Sequence, residues 1–493
     1  MTHKKRIIKD SFNLTSARYA SQFIGFFTSI AMKRFLGPFY TGIWSLLNII
    51  SDNASYLLLG IGEGVCYKIP FLLGEKKEQE AEEVKDVAFN FVFAVSCLTS
   101  LAVLVAAVIL RHRYPVEVIV GLCAVSLYML VDRICGYYMT LLRARKNFSV
   151  LSLSIIFDAV VNLCLVILLV KNFRIYGLYA ALIILTVLNV IFVHLFVRYR
   201  LCFNFKFKGA GGLIKIGFPL SFLGFLQGVA PILDTIMITK MIGVTFVGYY
   251  SVSVMTKNYI SQLSSFGTVL YPWLLETFGR NQSIEDIKKY AIIPPKVNAY
   301  LLPLLLGWIF FIVPVLIKAV LPKFIPGILA IQILLIDMFF RSCYPQAMHF
   351  LIALKKQTKM MTIMILSIIL TALLNYALIK AGYGIYGVAC AASAVSFIMF
   401  FLMQTYAMRH FAGGREIALF FLEVIAPFLY TTLFVLLIEN FIRLPNMYVN
   451  AAVKCFTLFI FSIPLLIYID SRTQVVRLVL DMVKGAILRK ADR

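Results

Sequence analysis

The chain has 493 residues, of which 61% are apolar and only 14% are charged. Soluble domains are roughly half apolar and a quarter charged, so this composition excludes a soluble globular protein and indicates an integral membrane protein. The formal net charge of +24 suggests a nucleic-acid partner, but the distribution of the charges along the chain argues against one.

Apolar stretches follow one another from Ser11 to Ile469, each close to the roughly 20 residues that an α-helix needs to cross a bilayer. They are continuous rather than alternating with polar residues, which excludes a β-barrel and predicts an all-α polytopic membrane protein. The fourteen predicted spans are 11–33, 42–67, 87–110, 115–142, 148–170, 175–197, 212–239, 244–275, 288–317, 325–354, 360–379, 385–408, 417–440 and 446–469.

Basic residues between the spans predict the orientation. With the N-terminus assigned to the cytoplasm, the inner segments hold 30 Lys and Arg residues and the outer segments hold 11, Lys33 and Arg34 among them. The positive-inside rule therefore places both termini in the cytoplasm. The basic charge is explained by orientation and by contact with lipid, so no nucleic-acid partner is expected. The tail at 470–493 is predicted to be an amphipathic helix on the cytoplasmic leaflet.

One short motif occurs twice, at the outer hairpin after span 1 and again at the hairpin after span 7. The first copy is "RFLGPFYTGIW", Arg34 to Trp44, and the second is "KMIGVTFVGYY", Lys240 to Tyr250. In each copy a basic residue, two apolar residues and a glycine are followed five residues later by a second glycine. The two copies lie 206 residues apart.

Further matches at similar spacing indicate that a six-helix unit is duplicated. They pair Arg133 to Cys135 with Arg341 to Cys343, Leu141 to Lys146 with Leu351 to Lys356, and "IYGLYAA" at Ile175 to Ala181 with "IYGVACA" at Ile385 to Ala391. The predicted domains are an N-terminal bundle at 1–208, a C-terminal bundle at 209–411, helices 13 and 14 at 412–469, and the tail.

The even number of helices in each unit predicts two bundles related by a pseudo-two-fold axis along the membrane normal. Such bundles leave a central cleft that rocks open to either side, which favours a transporter. A duplicated scaffold without transport activity is the alternative.

The six-plus-six-plus-two arrangement, the N-terminal segment "NLTSARYASQFIGFFTSIAMKRFLGPFYTGIW" and the "YG" pair at helices 6 and 12 carry a family resemblance. The chain resembles the polysaccharide-transport (Wzx-type) flippases of the multidrug/oligosaccharidyl-lipid/polysaccharide (MOP) exporter superfamily. The resemblance implies transport of an undecaprenyl-pyrophosphate-linked oligosaccharide to the outer leaflet of the bacterial cytoplasmic (inner) membrane, for O-antigen, capsule or exopolysaccharide synthesis. The implied partners are this substrate, membrane lipids and the polysaccharide polymerase machinery.

Two other cargoes fit the same superfamily: lipid II, or drugs exchanged for a cation. Drug exporters of the superfamily typically have twelve helices, whereas lipid II flippases resemble this chain in having fourteen. A membrane glycosyltransferase or polymerase is less favoured, because every outer segment is short and such an enzyme would not predict the duplication. The sequence contains neither a GxxxxGK[ST] phosphate loop nor an HExxH motif, so no enzyme, no ATP hydrolysis and no metal site are expected.

Ionisable side chains inside apolar stretches are functional candidates, because each costs several kcal/mol at mid-membrane. Arg18 and Lys257, one from each predicted bundle, are candidates for a cationic site that binds the pyrophosphate, with Arg133 and Arg341 as further members. Pairing with a carboxylate is the alternative for the last two, and Asp337 lies four residues before Arg341 on the same helix face.

Two further carboxylates, Asp158 and Asp234, have no obvious basic partner within a helical turn. Each is a candidate for binding a coupling proton or sodium ion, and a hydrogen bond between helices is the alternative. No cofactor is expected. Coupling is also unnecessary in principle, because the membrane potential of an inside-negative cell drives anions outward by about 2.3 kcal/mol per charge per 100 mV.

Overall fold

The computed structural model describes residues 3–197, 199, 201, 204, 207–263, 274 and 283–473. This part of the chain is helical and contains no β-strand, which confirms the all-α prediction. The chain divides into two compact units, Met1–Ser251 and Val252–Arg493.

The first unit contains seven long helices and the beginning of an eighth. They are α1 (His3–Ala54), α2 (Ile61–Gly74), α3 (Glu78–Leu110), α4 (Val116–Ala144), α5 (Phe148–Leu165), α6 (Lys171–Val197), α7 (Ala210–Met241) and the start of α8 (Val244–Leu263). Helix α1 packs on α5, α3 on α4, and α4 on α6.

The second unit contains the rest of α8 and seven further helices. They are α9 (Ile284–Val320), α10 (Ile328–Cys343), α11 (Pro345–Ala353), α12 (Gln357–Leu378), α13 (Gly384–Met408), α14 (Gly414–Phe441) and α15 (Met447–Thr473). Helix α10 packs on α13, which is the equivalent of the packing of α4 on α6 in the first unit.

The described helices overlap all fourteen predicted spans, although some consecutive spans are joined in one continuous helical segment. Among the described residues, nine helical segments are long and apolar enough to cross a membrane, or ten when one pair with a 46° bend is included. Two of the nine, Phe148–Val197 and Gln357–Met408, have 50 and 52 residues and each contain two predicted spans. The predicted span 244–275 is described mainly to Leu263, and the tail beyond Thr473 lies outside the described residues.

The two long segments break in the same way, which extends the repeat to the backbone. Each contains a π-helical turn, Val166–Val170 in one and Ile379–Tyr383 in the other. Shortly after it, Arg174 (φ 50°, ψ −125°) and Gly384 (φ 55°, ψ −135°) turn the chain, 210 positions apart. Glycine adopts this conformation freely, whereas an arginine there is strained. The turn is therefore required by the fold at both places.

One predicted pairing of the repeat is wrong by a single residue. Lys146 and Lys355 both have φ 57°, and both follow a helix that ends in the same pattern of backbone hydrogen bonds. The equivalent residues are thus 209 positions apart, whereas the sequence pairing of Leu141 to Lys146 with Leu351 to Lys356 used 210. The left-handed turn defines the equivalence, because the chain reverses there in both halves.

Helix α7 belongs to the first unit because it approaches α2 very closely. A Cβ atom added to Gly217 would overlap the Gly60 carbonyl, and one added to Gly64 would overlap the Leu213 carbonyl. The Tyr56 hydroxyl also donates to the Gly224 carbonyl oxygen at 3.1 Å. Packing groups α7 with the helices before it, whereas the sequence repeat assigns it to the second bundle. The predicted bundle boundary between 208 and 209 describes the repeat and stays a prediction.

The two helices outside the predicted repeat, α14 and α15, pack on α9 in the second unit. A Cβ atom on Gly307 of α9 would lie 2.5 Å from Leu458 Cδ2 and 3.1 Å from Val435 Cγ2, so this contact depends on glycine. The Trp308 indole N–H donates to the Cys455 carbonyl oxygen at 3.2 Å. Both helices are therefore integral to this unit.

Candidate functional site

A polar group in the first unit, the Arg133 cluster, consists of Asn48, Ser51, Asp52, Asp132 and Arg133. The Arg133 guanidinium donates to the Ser51 carbonyl oxygen at 2.6 Å and lies 3.5 Å from the Asp132 carboxylate. The Asn48 amide donates to Asp52 at 3.0 Å. With two carboxyl groups for one guanidinium, the cluster favours the paired interpretation of Arg133 over anion binding.

Asp158 on α5 lies beside α6, where it accepts a hydrogen bond from the Asn189 amide at 2.5 Å. It is also close enough to Asp132 to interact with it electrostatically. The Asn189 amide oxygen is buried and accepts no hydrogen bond within the described part of the chain. A carboxylate and an amide oxygen without a donor are groups that coordinate a hard cation.

Asp234 on α7 is buried, with 7% of its surface exposed. The Tyr250 hydroxyl of α8 donates to its carboxylate at 3.4 Å. The interhelical hydrogen bond, one of the two sequence interpretations, is thus present for both Asp158 and Asp234.

In the second unit, Lys257 of α8 forms an ion pair with Asp337 of α10 at 2.7 Å. The Asp337 side chain is 1% exposed and that of Lys257 is 13% exposed. The Ser396 hydroxyl of α13 donates to the other Asp337 oxygen. Arg341, one turn further along α10, also interacts electrostatically with Asp337. Asp337, which the sequence pairs with Arg341, therefore interacts with both Arg341 and Lys257. Its 2.7 Å contact is with Lys257.

Arg18 on α1 has an exposed side chain that makes no ion pair within the described residues. It lies seven residues into the first predicted span, about 10 Å from the N-terminal end of that span. Of the four basic candidates, Arg18 is the one whose charge is not already paired with a described carboxylate. This is the property required of a cation that binds an anionic substrate.

Lys33 is a buried cation that sequence reasoning missed, because it was counted among the residues of an outer segment. It is 5% exposed, and its ammonium donates to the Ser251 hydroxyl at 2.7 Å. Lys454, 5% exposed, forms an ion pair with Glu439 at 2.7 Å and was also not singled out. A signal for Lys33 was its place four residues before the first glycine of the repeated motif.

No group of three His, Cys, Asp or Glu side chains that could hold a metal ion occurs in the described ranges. The charged side chains are instead distributed over two units. Arg18, Arg133, Asp158 and Asp234 belong to the first, and Lys257 and Arg341 to the second.

Comparisons with known proteins give a family and a fold. The family described as "Polysaccharide biosynthesis protein" matches residues 32–287, slightly more than half of the chain. A search of curated proteins finds no match.

Solved structures share the fold over most of the chain. The structure described as "Lipid II flippase MurJ, inward closed conformation" matches with a TM-score of 0.69 at 13% identity, covering 91% of this chain and 97% of that one. An inward-facing multidrug resistance MATE family transporter of the MOP superfamily matches with a TM-score of 0.65 at 12% identity, covering 81% and 95%. At these identities the likeness establishes the fold.

Proposed function

Because the chain belongs to the polysaccharide biosynthesis protein family and has the fold of MOP superfamily transporters, we propose that it is a flippase for lipid-linked oligosaccharides. Its substrate is an undecaprenyl-pyrophosphate-linked oligosaccharide, moved from the inner to the outer leaflet of the bacterial cytoplasmic membrane. Both termini lie in the cytoplasm, and the polysaccharide polymerase machinery receives the product. The family match over residues 32–287 is the observation that carries this proposal.

The charges inside the membrane support an anionic cargo. The pyrophosphate of a lipid-linked sugar must cross an apolar layer, and an arginine engages its oxygens through two parallel hydrogen bonds. Arg18 supplies an exposed guanidinium within a predicted span. The other three basic candidates, Lys257, Arg133 and Arg341, each interact with a carboxylate in this structure, so Arg18 is the leading candidate for binding the pyrophosphate.

A leaflet assay tests the proposed function directly. The protein is reconstituted in liposomes that contain a fluorescent undecaprenyl-pyrophosphate oligosaccharide, and a membrane-impermeant quencher is added outside. Without protein, only the fluorophores in the outer leaflet are quenched. With a flippase, quenching proceeds to the inner-leaflet fraction, because the protein supplies a path for the headgroup that the bilayer lacks.

Liposomes made with heat-denatured protein are the control for leakage. Active protein that moves lipid II but leaves the oligosaccharide in place would contradict the proposed cargo and support the lipid II alternative. Protein that moves neither lipid would contradict the flippase proposal.

We also propose that Asp158 binds a coupling cation, proton or sodium, together with the amide oxygen of Asn189. Two observations support this site: the Asn189 amide nitrogen contacts the Asp158 carboxylate, and the buried oxygen of the same amide has no donor among the described residues. Asp234, which accepts from Tyr250, is the second candidate.

The Asp158→Asn variant tests coupling. Wild-type flipping is expected to accelerate about tenfold under an imposed proton or sodium gradient. A tenfold change corresponds to about 1.4 kcal/mol, which is less than the roughly 2.3 kcal/mol that one charge gains in crossing a potential of 100 mV. Flipping by the variant is expected to be insensitive to the gradient, because the amide cannot bind a proton or neutralise a cation. The Asp286→Asn variant in the first turn of α9 should respond as the wild type does. Full gradient dependence in Asp158→Asn would exclude this residue as the coupling site.

A further inference from the structure

The two copies of the repeated motif contact each other within the first unit. A Cβ atom on Gly42 would overlap the Val244 carbonyl and lie 2.9 Å from Val244 Cγ1. A Cβ atom on Gly248 would overlap the Pro38 carbonyl and lie 2.9 Å from Pro38 Cα. In each copy, the second glycine thus faces the residue that follows the first glycine of the other copy. We call this reciprocal arrangement of Pro38, Gly42, Val244 and Gly248 the hairpin contact.

The two glycines of each copy have different tasks. The first ones, Gly37 and Gly243, have φ values of 72° and 129°, which side chains rarely tolerate. They turn the chain at the hairpins. The second ones leave room for the backbone of the other copy. These two requirements explain why the motif is written twice with the same spacing.

The hairpin contact joins the two predicted bundles at the outer side of the membrane. The two hairpins belong to the segments with fewer basic residues, 11 against 30, and the positive-inside rule predicts that these segments lie outside. A reciprocal contact between the outer ends of two bundles that rock against each other closes the path between them. From this we infer that the hairpin contact is the outer gate of the transport path and is closed in this structure. The inference rests on the proposed function.

Lys33 gives the gate a bias toward opening. Its ammonium is buried, and within the described residues its hydrogen bond goes to the Ser251 hydroxyl, one turn beyond Gly248. One hydroxyl replaces the water around a cation poorly, so burial of Lys33 in the closed gate costs free energy. Separation of the hairpins returns water to the ammonium. The glycines therefore permit closure, and Lys33 opposes it.

Labelling of a reporter thiol tests the gate without any substrate. Ser45 lies one turn beyond Gly42 on the same helix face, on the membrane side of the hairpin contact. Ser45→Cys is placed in a background in which the nine native cysteines are replaced by serine or alanine. A membrane-impermeant maleimide is added from the outside, and the rate of labelling is measured in the reporter protein and in two further variants.

Gly248→Ala is expected to accelerate labelling about tenfold, equivalent to about 1.4 kcal/mol in the opening equilibrium, because the methyl group holds the hairpins apart. Lys33→Met, which removes a buried charge and should fold well, is expected to slow labelling. Gly136→Ala is the matched control, because a Cβ atom there meets nothing within 4 Å.

Equal labelling in all variants, or changes of the opposite sign, would overturn the gate. The leaflet assay tests the proposed function separately from the gate. If labelling changes as expected but the protein moves no oligosaccharide, the gate is supported and the proposed cargo is wrong. Loss of folded Gly248→Ala protein leaves Lys33→Met as the deciding variant.

Discussion

Replacement of Lys257 by methionine is expected to destabilise the protein by about 3–5 kcal/mol, because the buried Asp337 carboxylate loses the ammonium that lies 2.7 Å from it, one of the two cations that interact with it. Asp337 is 1% exposed, and without Lys257 it keeps the hydrogen bond from the Ser396 hydroxyl and the electrostatic interaction with Arg341. The loss should appear as a lower melting temperature of the purified protein in detergent. Flipping should be lost as well, because less folded protein survives reconstitution.

A second variant separates a structural ion pair from a substrate site. Lys257→Met combined with Asp337→Asn removes both charges, and asparagine keeps an oxygen that accepts from Ser396. The double variant is expected to recover most of the lost stability. Lys77→Met is the control, because its ion pair with Glu75 is about half exposed and is worth at most about 1 kcal/mol.

Flipping by the stable double variant then decides the role of Lys257. Restored flipping would show that the pair is structural and that Lys257 does not bind the pyrophosphate. Flipping that stays absent in a protein of normal stability would place Lys257 in the substrate site. A single Lys257→Met variant as stable as the wild type would contradict the ion pair itself.

Replacement of Arg18 by alanine is expected to lower the flipping rate by about a hundredfold while leaving the melting temperature unchanged. The lost guanidinium would have made charge-assisted hydrogen bonds to the pyrophosphate, each worth about 1.5–3 kcal/mol. Stability should change by less than about 0.5 kcal/mol, because the side chain is exposed and makes no described ion pair. Flipping and melting temperature are measured on the same preparations.

Two further variants make the Arg18 result specific. Arg18→Lys is expected to retain part of the activity, since an ammonium keeps the charge but loses the two-pronged geometry. Arg143→Ala removes an exposed arginine in the last turn of α4 and should flip at the wild-type rate. Equal losses in Arg18→Ala and Arg143→Ala would point to a general effect of surface charge and would remove Arg18 from the site.

The helical fold could be predicted from sequence because crossing a bilayer imposes a length and an apolar composition on each span. Breaks between spans could not be located as well. The turns at Arg174 and Gly384 are built into nearly continuous helices, and arginine gives no sign of a left-handed backbone. The one-residue error around Lys146 has the same origin, since residue identity reports poorly on which position takes φ of 57°.

The candidate site was predictable in part. Charges within apolar stretches identified Lys257 and Asp337 separately, but they lie on different helices, and sequence spacing favoured the nearer pair of Asp337 and Arg341. Only the folded chain brings the Lys257 ammonium of α8 to 2.7 Å from the Asp337 carboxylate of α10. Lys33 was counted with an outer segment, since sequence alone does not show that the hairpin around it is covered by α8.

The sequence by itself determined that this is a helical membrane protein with a duplicated half, because hydropathy and repeated motifs are properties of the chain taken in order. The tertiary structure decided which charges are paired and which glycines face a neighbour. Those properties depend on distances between residues far apart along the chain. The second glycine of each motif illustrates both: its recurrence is visible in the sequence, and its reason, the close backbone of the other copy, appears only in the folded protein.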